Sequence, residues 1–92
     1  MPERTVLVRY SGTVQGVGFR ETSRRIAQDF KLRGWVKNEP DGSVALIATA
    51  EAAEIEAFLK AIRESRLGAL IDREVIEPQQ HPASAYGFDI KR

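Results

Sequence analysis

Residues 39–42, Glu39-Pro40-Asp41-Gly42, constrain the fold of this chain more than any other stretch. They separate two β-rich runs, residues 34–38 and residues 43–48. A proline at the second turn position followed by Asp-Gly is the combination that a tight hairpin turn needs. The sequence therefore predicts that these two runs are antiparallel neighbours in one sheet.

The segments on either side of this hairpin alternate between strand-like and helix-like patterns. Residues 5–10 alternate apolar and polar faces and predict a first strand. Residues 19–30 and 50–65 carry apolar side chains at helical spacing, with Thr49 as the expected N-cap of the second helix and Gly68 as its exit. Ile71 and Val75 indicate a fourth strand. A turn region through Pro78 and Pro82 and a short last strand over residues 86–90 complete the pattern.

This order of elements predicts an α+β fold. Two helices with one apolar stripe each can both pack on one face of an antiparallel sheet, which is the ferredoxin-like α/β sandwich (βαββαβ), here with a short extra C-terminal strand. A chain of 92 residues is long enough for one core and too short for two, so we expect a single domain over residues 1–92. Because that fold supports many unrelated functions, the function has to be argued from a site.

The composition narrows the chemistry that such a site can use. Cysteine is absent, which excludes disulfides, thiol nucleophiles and thiolate metal sites, and the single histidine, His81, lies in a turn-like segment beside a proline. The net charge of +1 does not favour a general nucleic-acid or membrane binder. No segment approaches the roughly 18 consecutive apolar residues of a membrane span, and the first residues lack a signal-peptide pattern. We expect a soluble, cytoplasmic protein without a cofactor, and a monomer because no apolar stripe is left over once both helices are packed.

Residues 14–20, Val-Gln-Gly-Val-Gly-Phe-Arg, lie between the first predicted strand and the first predicted helix. Gly16 and Gly18 allow a sharp turn and a close approach of backbone to a ligand, and the amides at the start of a helix favour an anion. Arg20 in the first helical turn is mildly unfavourable for the helix itself, and a bound anion would reverse that conflict. A tight turn with a solvent-facing arginine is the alternative. No Gly-Lys-Ser/Thr follows the loop, and Glu21 stands where a dinucleotide fingerprint needs glycine.

Residues 12–20, Gly-Thr-Val-Gln-Gly-Val-Gly-Phe-Arg, followed by residues 34–38, Gly-Trp-Val-Lys-Asn, closely resemble the two signature segments of the acylphosphatases. Asp-Gly-Ser-Val at 41–44 and Gly-Phe-Asp-Ile at 87–90 extend the resemblance over nearly the whole chain. The resemblance implies hydrolysis of carboxyl–phosphate anhydrides without a metal, with Arg20 and Asn38 as the catalytic residues. It also implies that the phosphoryl group is bound by the backbone amides of the loop, which are those of Gln15, Gly16, Val17, Gly18, Phe19 and Arg20.

The chemistry of these residue types agrees with that implication. A guanidinium can form two parallel hydrogen bonds to phosphoryl oxygens, and an asparagine amide can orient a water but cannot deprotonate it. The leaving carboxylate needs no proton donor, because its conjugate acid has a pKa of roughly 4. The expected partners are therefore a small acyl phosphate substrate and inorganic phosphate as product.

Two competing functions and two departures from the resemblance accompany this interpretation. A non-catalytic anion-binding or protein-interaction module of the same fold is the main alternative, since such domains also occur inside larger carbamoyl-transfer maturation proteins; the chain length favours the separate enzyme. RNA binding is disfavoured because residues 43–47 offer no aromatic side chain. Glu39 and Ala50 depart from the usual family residues, and Glu39 is expected to bring a negative charge near the phosphate.

Overall fold

Two α-helices pack on one face of a mixed five-stranded sheet in the computed structural model, which describes residues 2–83 and 86–92. The strands of this described part are β1 (Glu3–Gly12), β2 (Arg33–Asn38), β3 (Val44–Glu51), β4 (Ile71–Gln79) and β5 (Phe88–Lys91). The helices are α1 (Phe19–Ala27), α2 (Ala52–Glu64) and a 3₁₀ helix (Arg66–Leu70). The predicted ferredoxin-like order βαββαβ with a short extra strand is confirmed.

The strands lie side by side in the order β4-β1-β3-β2-β5. β1, β2, β3 and β4 pair antiparallel, as the sequence predicts, and the predicted hairpin joins β2 to β3. β5 adds to the free edge of β2 in parallel, so that Lys37 pairs with Lys91. The C-terminal ends of β2 and β5 therefore lie at the same end of the sheet.

The core lies between the sheet and the helices. Alternate residues of β1 and β3 face the helices and are fully buried, among them Val8, Tyr10 and Leu46. The apolar stripe predicted for the second helix is buried as a unit and consists of Ile55, Phe58, Leu59 and Ile62. Each fully buried side chain of this size stabilises the fold by about 1.5–3 kcal/mol, so the stripes fix both helices on the sheet. No helix within residues 2–83 or 86–92 has the length and apolar character needed to span a membrane.

The second helix begins later than the sequence predicts. The N-cap is Glu51 rather than Thr49, and β3 continues through residues 49–51. The Thr49 hydroxyl, which is buried, lies 2.8 Å from the Thr5 hydroxyl and accepts a hydrogen bond from the amide of Ala83 at 2.9 Å. These partners in distant strands and loops keep Thr49 in the sheet and override its preference for a cap. Ala50 sits in the same strand, 1% exposed, where an alanine fits without strain.

The end of the second helix and the start of the last strand also differ from the prediction. The second helix ends at Glu64, before Gly68, and the last strand begins at Phe88 rather than at residue 86.

The end of the first helix and the place of Pro78 differ as well. The first helix ends at Ala27, and residues 28–30 continue as tighter turns whose amides bond to carbonyls three residues back. Pro78, expected in a turn, belongs to β4 and pairs with Val6. A proline is tolerated there because β4 is the edge strand of the sheet and its outward amides need no partner strand.

Candidate anion-binding site

A pocket of about 300 Å³ opens at the sheet edge where β1, β2 and β5 end. It is bounded by the β1–α1 loop (residues 13–18), the first turn of α1 and the last residues of β2 and β5. Its lining residues are Val14, Gly16, Gly18, Phe19, Arg20, Glu21, Asn38, Ile90 and Arg92. Arg20 and Asn38, which are 18 positions apart in the sequence, thus line the same pocket.

The backbone of the β1–α1 loop is shaped by two glycines in the left-handed region. Gly16 has a φ of 75°, and Gly18, the N-cap of α1, has a φ of 76°. Gly18 has no side chain with which to cap the helix, so the first-turn amides stay open. Among the residues that the structure describes, no acceptor is bonded to any backbone amide from 15 to 21, and the first bonded amide is that of Thr22, to the Gly18 carbonyl. The loop therefore offers a continuous run of free donors.

Phe19 connects this run of amides to the hydrophobic core. Its side chain is 2% exposed, and its ring lies 5.0 Å from the ring of Tyr10, centroid to centroid. Phe19 is therefore a core residue that anchors the loop. Val17, which does not line the pocket, is half-buried and packs against the same core.

The Gln15 side chain ties the loop to the β2–β3 hairpin. Its amide nitrogen donates to the carbonyls of Glu39 and Ser43, each at 2.8 Å. The Glu39 carboxylate is not part of the pocket lining, so the negative charge expected there from the sequence lies outside the pocket. Gln15 points away from the pocket as well, and its side chain connects the loop to the turn that follows Asn38.

Arg20 lies in the first turn of α1 and is half-buried. Within the described residues its guanidinium has no hydrogen bond and no ion pair, while its backbone carbonyl accepts from the Ser23 hydroxyl at 3.0 Å. A guanidinium held at a pocket without a carboxylate partner keeps all of its donors for a ligand. The free helix amides beside it have the same preference for an anion.

Asn38 is the last residue of β2, where it pairs with Val44. Its side-chain amide makes no hydrogen bond to another described residue and faces the pocket. An amide in this position offers one acceptor and two donors at the edge of the anion site. The arrangement can therefore hold a tetrahedral anion on the loop and a water beside it.

Four residues at the pocket are absent from the predicted set: Val14, Glu21, Ile90 and Arg92. Ile90 and Arg92 reach it because β5 runs parallel to β2, a pairing for which the sequence contains no local signal. Glu21 adds a carboxylate to the rim, and its hydrogen bond from Arg24 at 2.8 Å holds its pKa below the usual range. The three-residue spacing of Glu21 and Arg24 on a predicted helix is the sequence pattern that could have indicated this ion pair.

Metal-binding groups are not concentrated at this pocket. Across residues 2–83 and 86–92, no cluster of three or more His, Asp or Glu side chains is placed to hold a metal ion. His81, expected on the surface, is exposed at a bend after β4. The hydrogen-bond donors at the pocket are N–H groups, which favour anions over cations.

Comparison with known proteins gives one consistent result. The family model described as acylphosphatase matches residues 6–90 of this chain. A relative from Salinibacter ruber named acylphosphatase is 36% identical over 90 residues, which cover 98% of this chain and 95% of the relative.

Solved structures show the same similarity. The crystal structure of acylphosphatase from Bacillus subtilis superposes with a TM-score of 0.86 at 27% identity, covering 97% of this chain and 99% of that protein. Full-length HypF, in its phosphate- and nucleotide-bound form, contains a similar unit with a TM-score of 0.87 at 28% identity. That unit corresponds to 98% of this chain and only 12% of HypF.

Proposed function

The chain belongs to the acylphosphatase family of hydrolases, and we propose that it cleaves acyl phosphates with Arg20, Asn38 and the backbone amides of residues 15–20. The substrate is a small acyl phosphate, and the products are a carboxylate and inorganic phosphate. The observation that carries this proposal is the run of unbonded amides beside the unpaired Arg20 guanidinium, with Asn38 on the same pocket.

The phosphoryl group binds at the loop. Its oxygens accept from the amides of residues 15–20, which are preorganised because Phe19 and the two glycines fix the backbone. The Arg20 guanidinium adds a two-pronged contact to the equatorial oxygens, where charge is spread in the transition state of phosphoryl transfer. These donors replace water at the phosphate without having to reorganise during the reaction.

Asn38 orients the attacking water. Its amide oxygen accepts a hydrogen bond from the water and so directs the oxygen lone pair at phosphorus, in line with the leaving group. The water oxygen forms the new bond to phosphorus while the bond from phosphorus to the acyl oxygen breaks. The electron pair leaves with the carboxylate, and the proton of the water passes to a phosphoryl oxygen. Positioning accounts for the catalysis because asparagine is not a base.

The leaving group explains why this machinery suffices. A carboxylic acid has a pKa of roughly 4, so the carboxylate departs at neutral pH without a general acid. An alkyl phosphate would release a far more basic alkoxide and would need protonation or a metal ion. We therefore propose that the reaction is metal-independent and selective for mixed anhydrides, and that the protein acts as a monomer.

A second candidate function follows from the similarity to HypF. Because the matching unit makes up only a small part of that protein, this fold also serves as one module of a larger chain. The same pocket would then bind an anion without hydrolysing it. Inorganic phosphate binding without turnover distinguishes this function from the first.

Metal-free hydrolysis of benzoyl phosphate tests the proposal. With chelator present, we expect rapid hydrolysis by the native chain. Arg20→Lys should lose on the order of 10³-fold in kcat/KM because lysine cannot reproduce the planar fork. Asn38→Ala should lose about 10²-fold, mainly in kcat, because the water is no longer oriented. Arg25→Lys, an exposed change on the same helix, is the matched control and should keep full activity.

The outcomes separate the two functions. Hydrolysis that both Arg20→Lys and Asn38→Ala retain while folded would contradict the assigned roles. A folded native chain that binds phosphate but does not turn over would favour the non-catalytic module. Loss of activity on chelation that returns with added metal would overturn the metal-independent route.

A further inference from the structure

The side chain of Arg66 contacts the β1–α1 loop from outside the pocket. Its Nη2 donates to the carbonyl of Val17 at 2.9 Å and to the hydroxyl of Thr22 at 3.0 Å. Arg66 is not part of the pocket lining. One amino group thus joins the loop, the first helix and the 3₁₀ helix, although these contacts are 49 and 44 positions apart in the sequence.

The base of this side chain is held firmly. Ser65 caps the 3₁₀ helix, its hydroxyl accepting from the amide of Leu67 at 3.1 Å, and Leu67 itself is completely buried. Gly68 lies so close to the Arg63 carbonyl that an added Cβ would be only 1.9 Å from that oxygen. The backbone beside Arg66 is therefore fixed by a cap, a core side chain and a close contact. This rigidity lets a surface arginine define the position of a loop carbonyl.

We propose that Arg66 is a positioning residue that locks the peptide between Val17 and Gly18 in the orientation that binds phosphate. The structure contains no cis peptide in its described part, and in a planar trans peptide the carbonyl and the following N–H point in opposite directions. Holding the Val17 carbonyl toward Arg66 therefore turns the Gly18 N–H away from Arg66 and toward the pocket that Gly18 lines. This inference rests on the proposed function of the loop.

The alternative, that Arg66 itself binds the substrate, is disfavoured because Arg66 does not line the pocket. Both hydrogens of Nη2 are also used, by Val17 and Thr22. Arg66 also explains a second property of Gly18. A Cβ at that position would lie 3.0 Å from Nη2, whereas one at Gly16 would meet nothing within 4 Å. Gly18 is thus needed for its backbone conformation, and a side chain at this position would also press on the Arg66 guanidinium.

Steady-state kinetics of Arg66→Met test the inference, because methionine keeps much of the stem and removes every donor. We expect KM for benzoyl phosphate and the inhibition constant of inorganic phosphate to rise together by about fivefold, which is about 1 kcal/mol at 1.4 kcal/mol per tenfold. The value of kcat should change less than twofold, since the same amide contacts substrate and transition state. Arg73→Met, which removes an exposed arginine of β4, is the matched control for charge and should leave both constants unchanged.

Two further readouts distinguish positioning from a general effect of charge or stability. Raising the salt concentration to about 0.5 M shortens the electrostatic screening length to a few ångströms. The differences in KM and in the phosphate inhibition constant between Arg66→Met and the native chain should nevertheless persist. The backbone amide resonance of Gly18 should shift in Arg66→Met, whereas that of Gly42 in the β2–β3 turn should not.

The result that overturns the inference is an unchanged phosphate inhibition constant and an unchanged Gly18 resonance in folded Arg66→Met. An equal loss in Arg73→Met, or a loss that disappears at high salt, would also overturn it. Failure of the proposed function looks different, because the native chain itself would then not hydrolyse benzoyl phosphate. In that case the Gly18 resonance and its response to added phosphate still test the role of Arg66.

Discussion

Replacing Gln15 tests how strongly the β1–α1 loop is coupled to the β2–β3 hairpin. Gln15→Leu gives an apolar side chain that is one methylene shorter and removes both hydrogen bonds from the side chain to the carbonyls of Glu39 and Ser43. Neither carbonyl is left without a donor. The Glu39 carbonyl still accepts from the amide of Gly42 at 3.1 Å, and the Ser43 carbonyl from the amide of Glu39 at 2.9 Å.

The expected loss of stability follows from this count. A hydrogen bond contributes about 0.5–1.5 kcal/mol net, and no carbonyl carries the additional penalty of a buried group without a partner. We expect Gln15→Leu to lower the free energy of unfolding by about 1–2 kcal/mol. For a chain of this size, each kcal/mol lowers Tm by about 4–8 °C. Urea unfolding, with an unchanged m-value, measures the difference.

The effect on catalysis should exceed what stability explains. Gln15 connects the loop that we propose binds phosphate to the turn directly after Asn38, so its loss should let the two halves of the site move independently. We expect kcat to fall about tenfold under conditions where the variant is fully folded, because small misplacements of reacting groups are costly. Gln79→Leu, an exposed change in β4, is the control for the substitution itself.

Gln15→Glu sharpens the test through its pH dependence. An ionised carboxylate has no hydrogen to donate and would face two carbonyl oxygens, so this variant should be less stable than Gln15→Leu at pH 7. The same repulsion raises the pKa of the new carboxyl in the folded state. A raised pKa gives stability that is present below the unfolded value and is lost as the pH rises through the folded value. The deficit in the free energy of unfolding of Gln15→Glu relative to Gln15→Leu should therefore shrink as the pH falls from 7 to 4.

The coupling would be refuted by a Gln15→Leu variant within about 0.5 kcal/mol of the native chain and with unchanged kcat, since ordinary surface substitutions fall in that range. Equal stability of Gln15→Leu and Gln15→Glu at every pH would refute the donor role of the side chain.

Two further changes test the fold around the site. Gly34→Ala places a Cβ 1.8 Å from the Ile47 carbonyl in the middle of the sheet, so this variant should fail to fold or lose more than about 3 kcal/mol. In Gly87→Ala the added Cβ meets no non-neighbouring atom of the described residues within 4 Å, so this variant should lose less than about 1 kcal/mol. Urea unfolding of both variants measures the two losses. In the turn, Asp41 accepts from the amide and the hydroxyl of Ser43 at 2.9 and 2.6 Å, which lowers the pKa of its carboxyl. A lowered pKa gives stability that is present above the unfolded value, so the difference in urea midpoint between the native chain and Asp41→Ala should be clear at pH 7 and should shrink below about pH 4; a difference that grows on acidification would contradict this.

Local sequence patterns determined the elements that depend on near neighbours. The Pro-Asp-Gly turn is observed with Gly42 at a φ of 93° and with the Glu39 amide bonded to the Ser43 carbonyl at 2.9 Å. Gly16 and Gly18 adopt the positive φ for which the loop pattern selects glycine. The apolar stripe of the second helix is buried as predicted. In each case the physical cause, a backbone conformation or a periodic burial, acts over a few residues and is visible in one segment.

The candidate site was predictable to the extent that the family resemblance supplied it. The resemblance named Arg20, Asn38 and the loop amides, and the structure brings Arg20, Asn38 and the glycines to one pocket. Their roles in binding and catalysis stay predictions until the variants are measured. Composition and periodicity alone left the loop as either an anion site or a tight turn.

Only the tertiary structure decided which distant segments meet. α2 begins later than the sequence predicts because the Thr49 hydroxyl forms hydrogen bonds with β1 and with the chain after β4. Arg92 reaches the pocket because β5 pairs in parallel with β2. The contacts of Gln15 and Arg66 span 24 to 49 positions and belong to no motif with their partners. Such contacts form only after the chain has packed, since their energy depends on geometry set by the whole sheet. The sequence by itself thus determined the loop and its amides, and the packing of remote elements decided what holds that loop in place.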